Sequence, residues 1–526
     1  MNGSTQVWRE ELSPTTFLER AAGFLADKVA VVDGQRQFTY AEFASRCRRL
    51  QAALVSAGVR PGDRVAAWCT NSHVMLELHQ AVPACGAVLV PLNTRLAAAE
   101  VDQLLDHSGA SLIVATREHA VQAAEAAGRR SIGWVAESSS RDYDEWVAAH
   151  EPVEHRWVAS EEQLLSINYT SGTTGTPKGV MYHHRGAYLQ ALAMVHHAGL
   201  TAESRYLWTL PMFHCHGWSF TWAVAAAGGM HVCTRSVEPA EVWRLEEAHG
   251  VTHLSAAPTV LTMLAEHGRS SPSDRRVHVD TGGAPPTPIL LERLDALGLD
   301  VTHLYGLTET YGPVAVNVWR SEWDSLPTDR RAALRARQGV ANIVSMPLSI
   351  LDAAGDAVPA DGRTPGEIAV RGNTVMAGYF RDEVTTAASM RAGHLLTGDV
   401  AVMHPDGYLE IRDRRKDVII SGGENISSVE VERVLDTHPA VVESAVIGVP
   451  DDRWGEAPVA VVRLREGCSV EDAELIAFAR EHLAGYKVPR LYEYRDLPKT
   501  PTGKIQKNLL RDDLRSRRAG ERSGES

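Results

Sequence analysis

One run of eleven residues constrains the fold more than any other part of the chain: Tyr169-Thr170-Ser171-Gly172-Thr173-Thr174-Gly175-Thr176-Pro177-Lys178-Gly179. It follows an apolar stretch, Leu164 to Ile167, and so reads as a loop leaving a strand. Glycines let backbone N–H groups come close to a phosphate, the hydroxyls donate hydrogen bonds, and Lys178 supplies countercharge. The run therefore reads as a polyphosphate cradle. A Walker A loop is excluded, because Pro177 stands five positions after Gly172 and Gly179 follows the lysine in place of Ser or Thr.

A chain of 526 residues exceeds what one core supports, so two or more domains are expected. Hydrophobic residues at 44% and charged residues at 23% match an ordinary globular mixture. A net charge of −13 lacks the basic excess of a nucleic-acid binder, and cations that meet an anionic ligand must be gathered locally. The six cysteines are scattered without a CxxC, which indicates a reducing compartment. Met1 to Glu11 holds no apolar signal core. Trp218 to Val232, the most apolar stretch, is interrupted by Gly228, Gly229 and His231 and is shorter than the roughly 20 residues a membrane span needs. A soluble, cytoplasmic protein is expected, with no nucleic acid as partner.

Strand patterns at Lys28 to Val32, Arg64 to Trp68 and Ala87 to Val90 alternate with helical spacing such as Tyr40 to Ala57. This alternation predicts an α/β fold: a large N-terminal domain of parallel-rich sheets covered by helices. A charged turn, Arg412 to Asp417, separates the strand candidates Gly407 to Ile411 and Val418 to Ile420. It divides the chain into residues 1–413 and a small α+β domain, residues 414–526. The polar stretch from Arg511 onward is expected to be a frayed tail.

Further motifs occur in a fixed order. They are Gly282-Gly283-Ala284-Pro285, Tyr305-Gly306-Leu307-Thr308-Glu309-Thr310, Thr397-Gly398-Asp399, Asp413-Arg414-Arg415-Lys416-Asp417 and Pro498-Lys499-Thr500-Pro501-Thr502-Gly503-Lys504. Together with the cradle they resemble the adenylate-forming (AMP-binding) superfamily of acyl-CoA synthetases, adenylation domains and luciferases, from about Phe38 to Lys507. Each motif alone is weak; their joint order is specific. The Leu-Trp-Thr-Leu-Pro-Met-Phe-His stretch and Gly422-Gly423-Glu424-Asn425-Ile426-Ser427-Ser428 are most similar to short- to medium-chain fatty acyl-CoA ligases.

The resemblance implies an acid–thiol ligase that uses ATP, Mg²⁺ and coenzyme A to convert a carboxylic acid to acyl-AMP and then to a thioester. It implies that Lys504, Thr308, Glu309 and Lys178 act in catalysis. Thr170, Ser171, Gly172, Thr173, Thr174, Gly283, Ala284, Tyr305, Gly306, Thr308, Asp399, Arg414 and Lys504 would hold ATP or AMP, with Thr170 and Glu309 near the metal. His214, Trp218 and Gly306 would border the acyl pocket, Lys416 would be the hinge, and Gly422 and Gly423 would flank the coenzyme A path. Amino-acid-activating relatives carry an aspartate near the segment that here reads Phe213-His214 with Trp218, Phe220 and Trp222, so an uncharged acyl or aryl chain is favoured. His214-Cys215-His216, His183-His184 and His196-His197 lack zinc spacing. Arg415 inside the hinge and Ser427-Ser428, where a Tyr-Pro pair is frequent, depart from the family pattern. They leave the acceptor open between coenzyme A, a carrier-protein thiol and another nucleophile; a homodimer is also open. A non-catalytic relative is disfavoured because Lys178, Glu309, Asp399, Arg414 and Lys504 are all present.

Overall fold

The computed structural model describes residues 10–155, 158–170, 177–269, 275–283, 286, 288–414, 416–421, 424–451, 454–500 and 504–523. Near-continuous apolar runs form two sheets with mostly parallel pairing, as strands covered on both faces should. A seven-stranded sheet carries, in spatial order, Gly378–Tyr379, Lys178–His183, Leu164–Thr170, Val88–Pro91, Arg64–Trp68, Ala110–Ala115 and Gly133–Ala136. From Leu164–Thr170 to Gly133–Ala136 every pairing is parallel. A nine-stranded sheet is parallel from Leu299–Leu307, through Val277–Thr281, to Val29–Asp33, and adds Gly312–Val316 antiparallel beyond Leu299–Leu307.

Helices fill the space between these sheets. Helix Tyr40–Ser56 starts where Thr39 and Glu42 form a capping box. Helix His73–Ala84 touches strands of both sheets, and all twelve of its residues are buried. Its one acid, Glu77, is met by Arg46 and by the Tyr143 hydroxyl at 2.6 Å, the pairing that a carboxylate removed from water requires.

A third sheet, antiparallel, includes Gly366–Val370, His394–Met403 and Leu409–Arg414. A separate small sheet begins with Ile419–Ser421 and is completed by Glu424–Ile426, Val441–Asp451, Gly455–Leu464 and Leu491–Tyr494. One face packs on helices Ser428–Leu435 and Asp472–His482. The other is covered by the C-terminal helix, Lys507–Ser523, which corrects the frayed tail expected from Arg511. Leu510 and Leu514, an i, i+4 pair in a charged background, are buried against the sheet and give that helix its one apolar stripe. Among the described residues no helix is long and apolar enough to cross a membrane.

The apolar stretch after Trp218 breaks into helix Phe220–Ala227 and strand Met230–Cys233. It is entered through a left-handed turn. Five consecutive residues, Cys215, His216, Gly217, Trp218 and Ser219, have φ of 49°, 54°, 55°, 54° and 66°. Each non-glycine residue there costs about 1–2 kcal/mol, so packing must hold the turn. A Cβ on Gly217 would lie 2.3 Å from the Trp208 ring. Gly217→Ala should therefore destabilise the large domain by about 2–5 kcal/mol, combining backbone strain with overpacking. Urea unfolding checks it: the first midpoint should fall with its slope unchanged.

Candidate active site

The site residues collect where parallel strands end, the usual place for a ligand crevice in open α/β sheets. Strand Leu164–Thr170 turns back as Lys178–His183, with Thr170 opposite Lys178, so the hairpin pins both ends of the cradle. The loop lies outside the described residues from Ser171 to Thr176, and Gly172, Thr173 and Thr174 with it. Strand Val277–Thr281 runs into Gly282 and Gly283, the latter at φ 91°; Ala284 is outside the described residues. Strand Leu299–Leu307 ends in the short helical turn Thr308–Thr310. Its register shifts at Gly306, where a Cβ would lie 1.9 Å from the Gly312 carbonyl oxygen, so only glycine fits that crossing.

Two side-chain clusters stand over these strand ends. In the first, the Lys178 ammonium lies 5.0 Å from the centroid of the Tyr379 ring, and the Tyr379 hydroxyl donates to Glu309 Oε1 at 2.7 Å. Burial and the Glu309 charge hold the Tyr379 phenol well above its usual range, so it stays a donor. The Tyr182 hydroxyl donates to the Thr308 carbonyl at 2.6 Å and ties the turn to the cradle hairpin.

The second cluster joins the two domains. Asp399, 2% exposed, accepts from the Tyr305 hydroxyl at 2.7 Å and pairs with Arg414 Nε at 3.0 Å. An ionised carboxylate offers about four acceptor directions, so capacity for further hydroxyls remains. Lys504 arrives from the small domain, its backbone N–H donating to Thr500 Oγ1 at 3.0 Å. Burial, and next the Arg414 guanidinium, push its ammonium down to about 7, with Asp399 opposing them. Lys416 is exposed in the turn between Leu409–Arg414 and Ile419–Ser421. Arg415, Gly422 and Gly423 lie outside the described residues.

The residues expected on the acyl side, His214 and Trp218, stand at and on the left-handed turn. Trp218 is buried, and its indole would sit 3.1 Å from a Cβ on Gly282, so this glycine lets the ring close over the strand end. The Cys215 thiol donates to Thr308 Oγ1 at 3.5 Å and lies 3.8 Å from His214 Nε2. Beneath the turn a hydrogen-bond chain fixes its own tautomers. His79 Nδ1 lies 2.7 Å from the Met75 carbonyl, which can only accept, so the proton sits there. His79 Nε2 must then accept from His216 Nδ1 at 2.8 Å, and His216 Nε2 accepts from Ser166 at 2.6 Å and Asn168 at 2.8 Å. Burial keeps both rings neutral, His79 near 4 and His216 well below its usual value.

Sequence reasoning missed Tyr379, Tyr182 and Cys215. Gly378-Tyr379 is a short strand paired with the cradle hairpin, a pairing without local signature. Cys215 is inside the segment that the reading singled out, beside His214.

With this geometry in hand, comparison with known proteins is informative. The profile of the AMP-binding enzyme family matches residues 17–380, and that of the AMP-binding enzyme C-terminal domain matches residues 430–504. A peroxisomal acetate/butyrate–CoA ligase of Arabidopsis thaliana, AAE7, is 42% identical, over 95% of this chain and 94% of the relative. The 2-methylpropanoate–CoA ligase CCL4 of Humulus lupulus is 42% identical, over 96% and 95%. Among solved structures, ATP-bound MatB from Rhodopseudomonas palustris superposes with a TM-score of 0.84 at 28% identity, covering 95% of this chain and 99% of that one. The amide bond synthetase McbA from Marinactinospora thermotolerans gives 0.84 at 31% identity, covering 95% and 99%.

The Lys504 environment generates a direct test. In the free protein its side-chain ammonium should titrate near 7, followed by NMR of the labelled ε-carbon, and Arg414→Gln should raise that midpoint by removing the like charge that lowers it most. A midpoint at the ordinary lysine value of 10.5 would contradict the placement.

Proposed function

The chain belongs to the AMP-binding enzyme family and is an AMP-forming acid–thiol ligase, and we propose that its acid is short and uncharged and that the clusters above divide the chemistry between them. The reading rests on one observation: the Lys178–Tyr379–Glu309 and Tyr305–Asp399–Arg414 clusters both stand at the end of strand Leu299–Leu307.

The first half-reaction joins two anions. A carboxylate is already a nucleophile at neutral pH, so no general base is required when it attacks the α-phosphorus of ATP and expels pyrophosphate. Charge concentrates on the phosphate oxygens in the transition state, and fixed donors lower that barrier. Lys504 and the Thr308 hydroxyl serve the α-phosphate, Lys178 and the cradle residues Thr170 to Thr174 the β- and γ-phosphates. Asp399 receives the ribose hydroxyls beside Arg414, and Gly283 with Ala284 borders the adenine.

Glu309 and Thr170 form a donor set suited to Mg²⁺, a hard ion that takes one or two protein oxygens beside substrate phosphates. One Glu309 oxygen holds the Tyr379 hydrogen bond, and among the described residues the other holds none. When bound, Mg²⁺ supplies countercharge to the triphosphate.

In the second half-reaction the coenzyme A sulfur attacks the acyl carbonyl, forming the thioester and releasing AMP. The small domain turns about Lys416 between the two, withdrawing Lys504 and bringing Gly422 and Gly423 to the pantetheine.

Support for a short, uncharged acid comes from two sides. Relatives carry the names of acetate, butyrate and 2-methylpropanoate ligases. The Trp218 ring closes down on Gly282, and the segment Met212 to Trp222, with His214, contains no acid to receive an ammonium group. A panel of straight, branched and amino acids with ATP, Mg²⁺ and coenzyme A tests this by AMP release and product mass. Thioesters of two- to four-carbon acids are expected at about tenfold or greater preference over amino acids. Preference for long chains or amino acids, or amide products like those named by the McbA relative, would overturn it.

A further inference from the structure

The C-terminal helix spans the hinge and grips both of its sides. Lys507 and Arg511 stand one turn apart on helix Lys507–Ser523; Arg511 meets Asp417 directly and Lys507 reaches Asp413 through Ser428, the two aspartates flanking Arg414 to Lys416. Arg511 Nη2 lies 2.8 Å from Asp417 Oδ1. Lys507 Nζ donates to Ser428 Oγ at 2.6 Å and pairs with Glu432 Oε1 at 2.6 Å. The Ser428 hydroxyl donates onward to Asp413 Oδ1 at 3.0 Å, and its backbone N–H donates to Oδ2.

These groups belong to different bodies. Asp413 sits opposite Val400 in the antiparallel sheet of the large domain. Ser428 and Glu432 lie on helix Ser428–Leu435, and Lys507 opens the C-terminal helix, both packed on the small sheet. Arg433 Nη1 to Glu410 Oε1, 2.8 Å, repeats the join nearer the surface. Asp413 is 2% exposed and Ser428 fully buried, so the carboxylate depends on those donors to be tolerated away from water. Burial works against the Lys507 charge, and the Glu432 and Asp413 carboxylates outweigh it and hold the ammonium protonated.

Lys507 is also mechanically tied to Lys504. The Gln506 N–H donates to the Pro498 carbonyl at 2.8 Å and the Thr500 N–H to the Lys504 carbonyl at 2.7 Å, so the antiparallel pairing of 504–506 with 498–500 passes any shift of Lys507 to Lys504. We infer that Lys507 and Asp413 are positioning residues for adenylation: joined through Ser428, they lock the small domain in the orientation that sets Lys504 against Asp399 and Arg414. The lock opens when the domain turns for thioester formation. The inference rests on Lys504 being the lysine that serves the α-phosphate.

The test uses the full chain with butyrate as probe, measuring butyrate-dependent ATP–pyrophosphate exchange and, separately, thioester formation from supplied butyryl-AMP and coenzyme A. Lys507→Met should lower exchange about ten- to hundredfold, the scale of a displaced catalytic group, and leave the thioester step unchanged. Lys507→Arg should restore exchange. Asp413→Asn, which keeps shape and an acceptor oxygen, should show the same split with a smaller loss, and decides the matter if Lys507→Met does not fold. Normal exchange in both variants, or equal loss of both half-reactions, overturns the inference. Lys504→Ala separates the two layers. If it abolishes exchange while Lys507→Met does not, the lock alone falls; if it leaves exchange intact, the assignment of Lys504 falls and the lock with it.

Discussion

The arrangement turns on a repulsion that the fold holds in place: burial and the Arg414 guanidinium both weaken the hold of the half-buried Lys504 on its proton, and the Asp399 carboxylate, paired with Arg414, opposes them. Unliganded, that grouping costs stability, because burial and the like charge both work against the protonated lysine. The lysine's lowered affinity for its proton makes this cost greatest below about pH 7, and it declines as pH rises toward 10.5, where the unfolded lysine also loses its proton. A phosphate anion relieves it. In a chain of net charge −13, the proposed site gathers cations where two anionic substrates would meet.

The rest of the large domain fixes the geometry around that point. Strands from two parallel sheets end at the same crevice, and tyrosines lock their ends together: Tyr182 to Thr308, Tyr379 to Glu309, Tyr305 to Asp399. The left-handed turn from Cys215 to Ser219 is the strained element. It is held by the neutral histidine chain below and by glycines at 217 and 282 that admit tryptophan rings, and it sets Trp218 over the strand end at Gly282. Strain kept at a ligand-facing segment and supported by its surroundings is a common feature of functional sites. In the proposed reaction the small domain supplies one cation, Lys504, and withdraws it for the second step.

Much of this was legible in the residues. The strand Leu164–Thr170 that leads into the Gly/Ser/Thr loop was legible in the apolar run before it, and the helix beginning at Tyr40 in its cap and periodicity. The order of the later motifs carried the family resemblance. What escaped reading had no local signature. Tyr379 meets Glu309 across 70 residues of chain, and a hydrogen bond between side chains so far apart leaves no pattern in either segment. The left-handed run shows only one glycine, Gly217, in five positions, since packing and not propensity sustains it. From Arg511 onward the sequence reads as a tail because Leu514 is the one large apolar residue among charged and small ones; the sheet that Leu510 and Leu514 cover becomes evident only once the fold is assembled.

The central claim is that this site joins acid to AMP before any thiol takes part. Exchange of labelled pyrophosphate into ATP, with the preferred acid and Mg²⁺ present and coenzyme A withheld, tests it most directly. The account predicts exchange that depends on the acid and yields no ADP. Exchange that requires coenzyme A, or release of ADP and phosphate in its place, would contradict it.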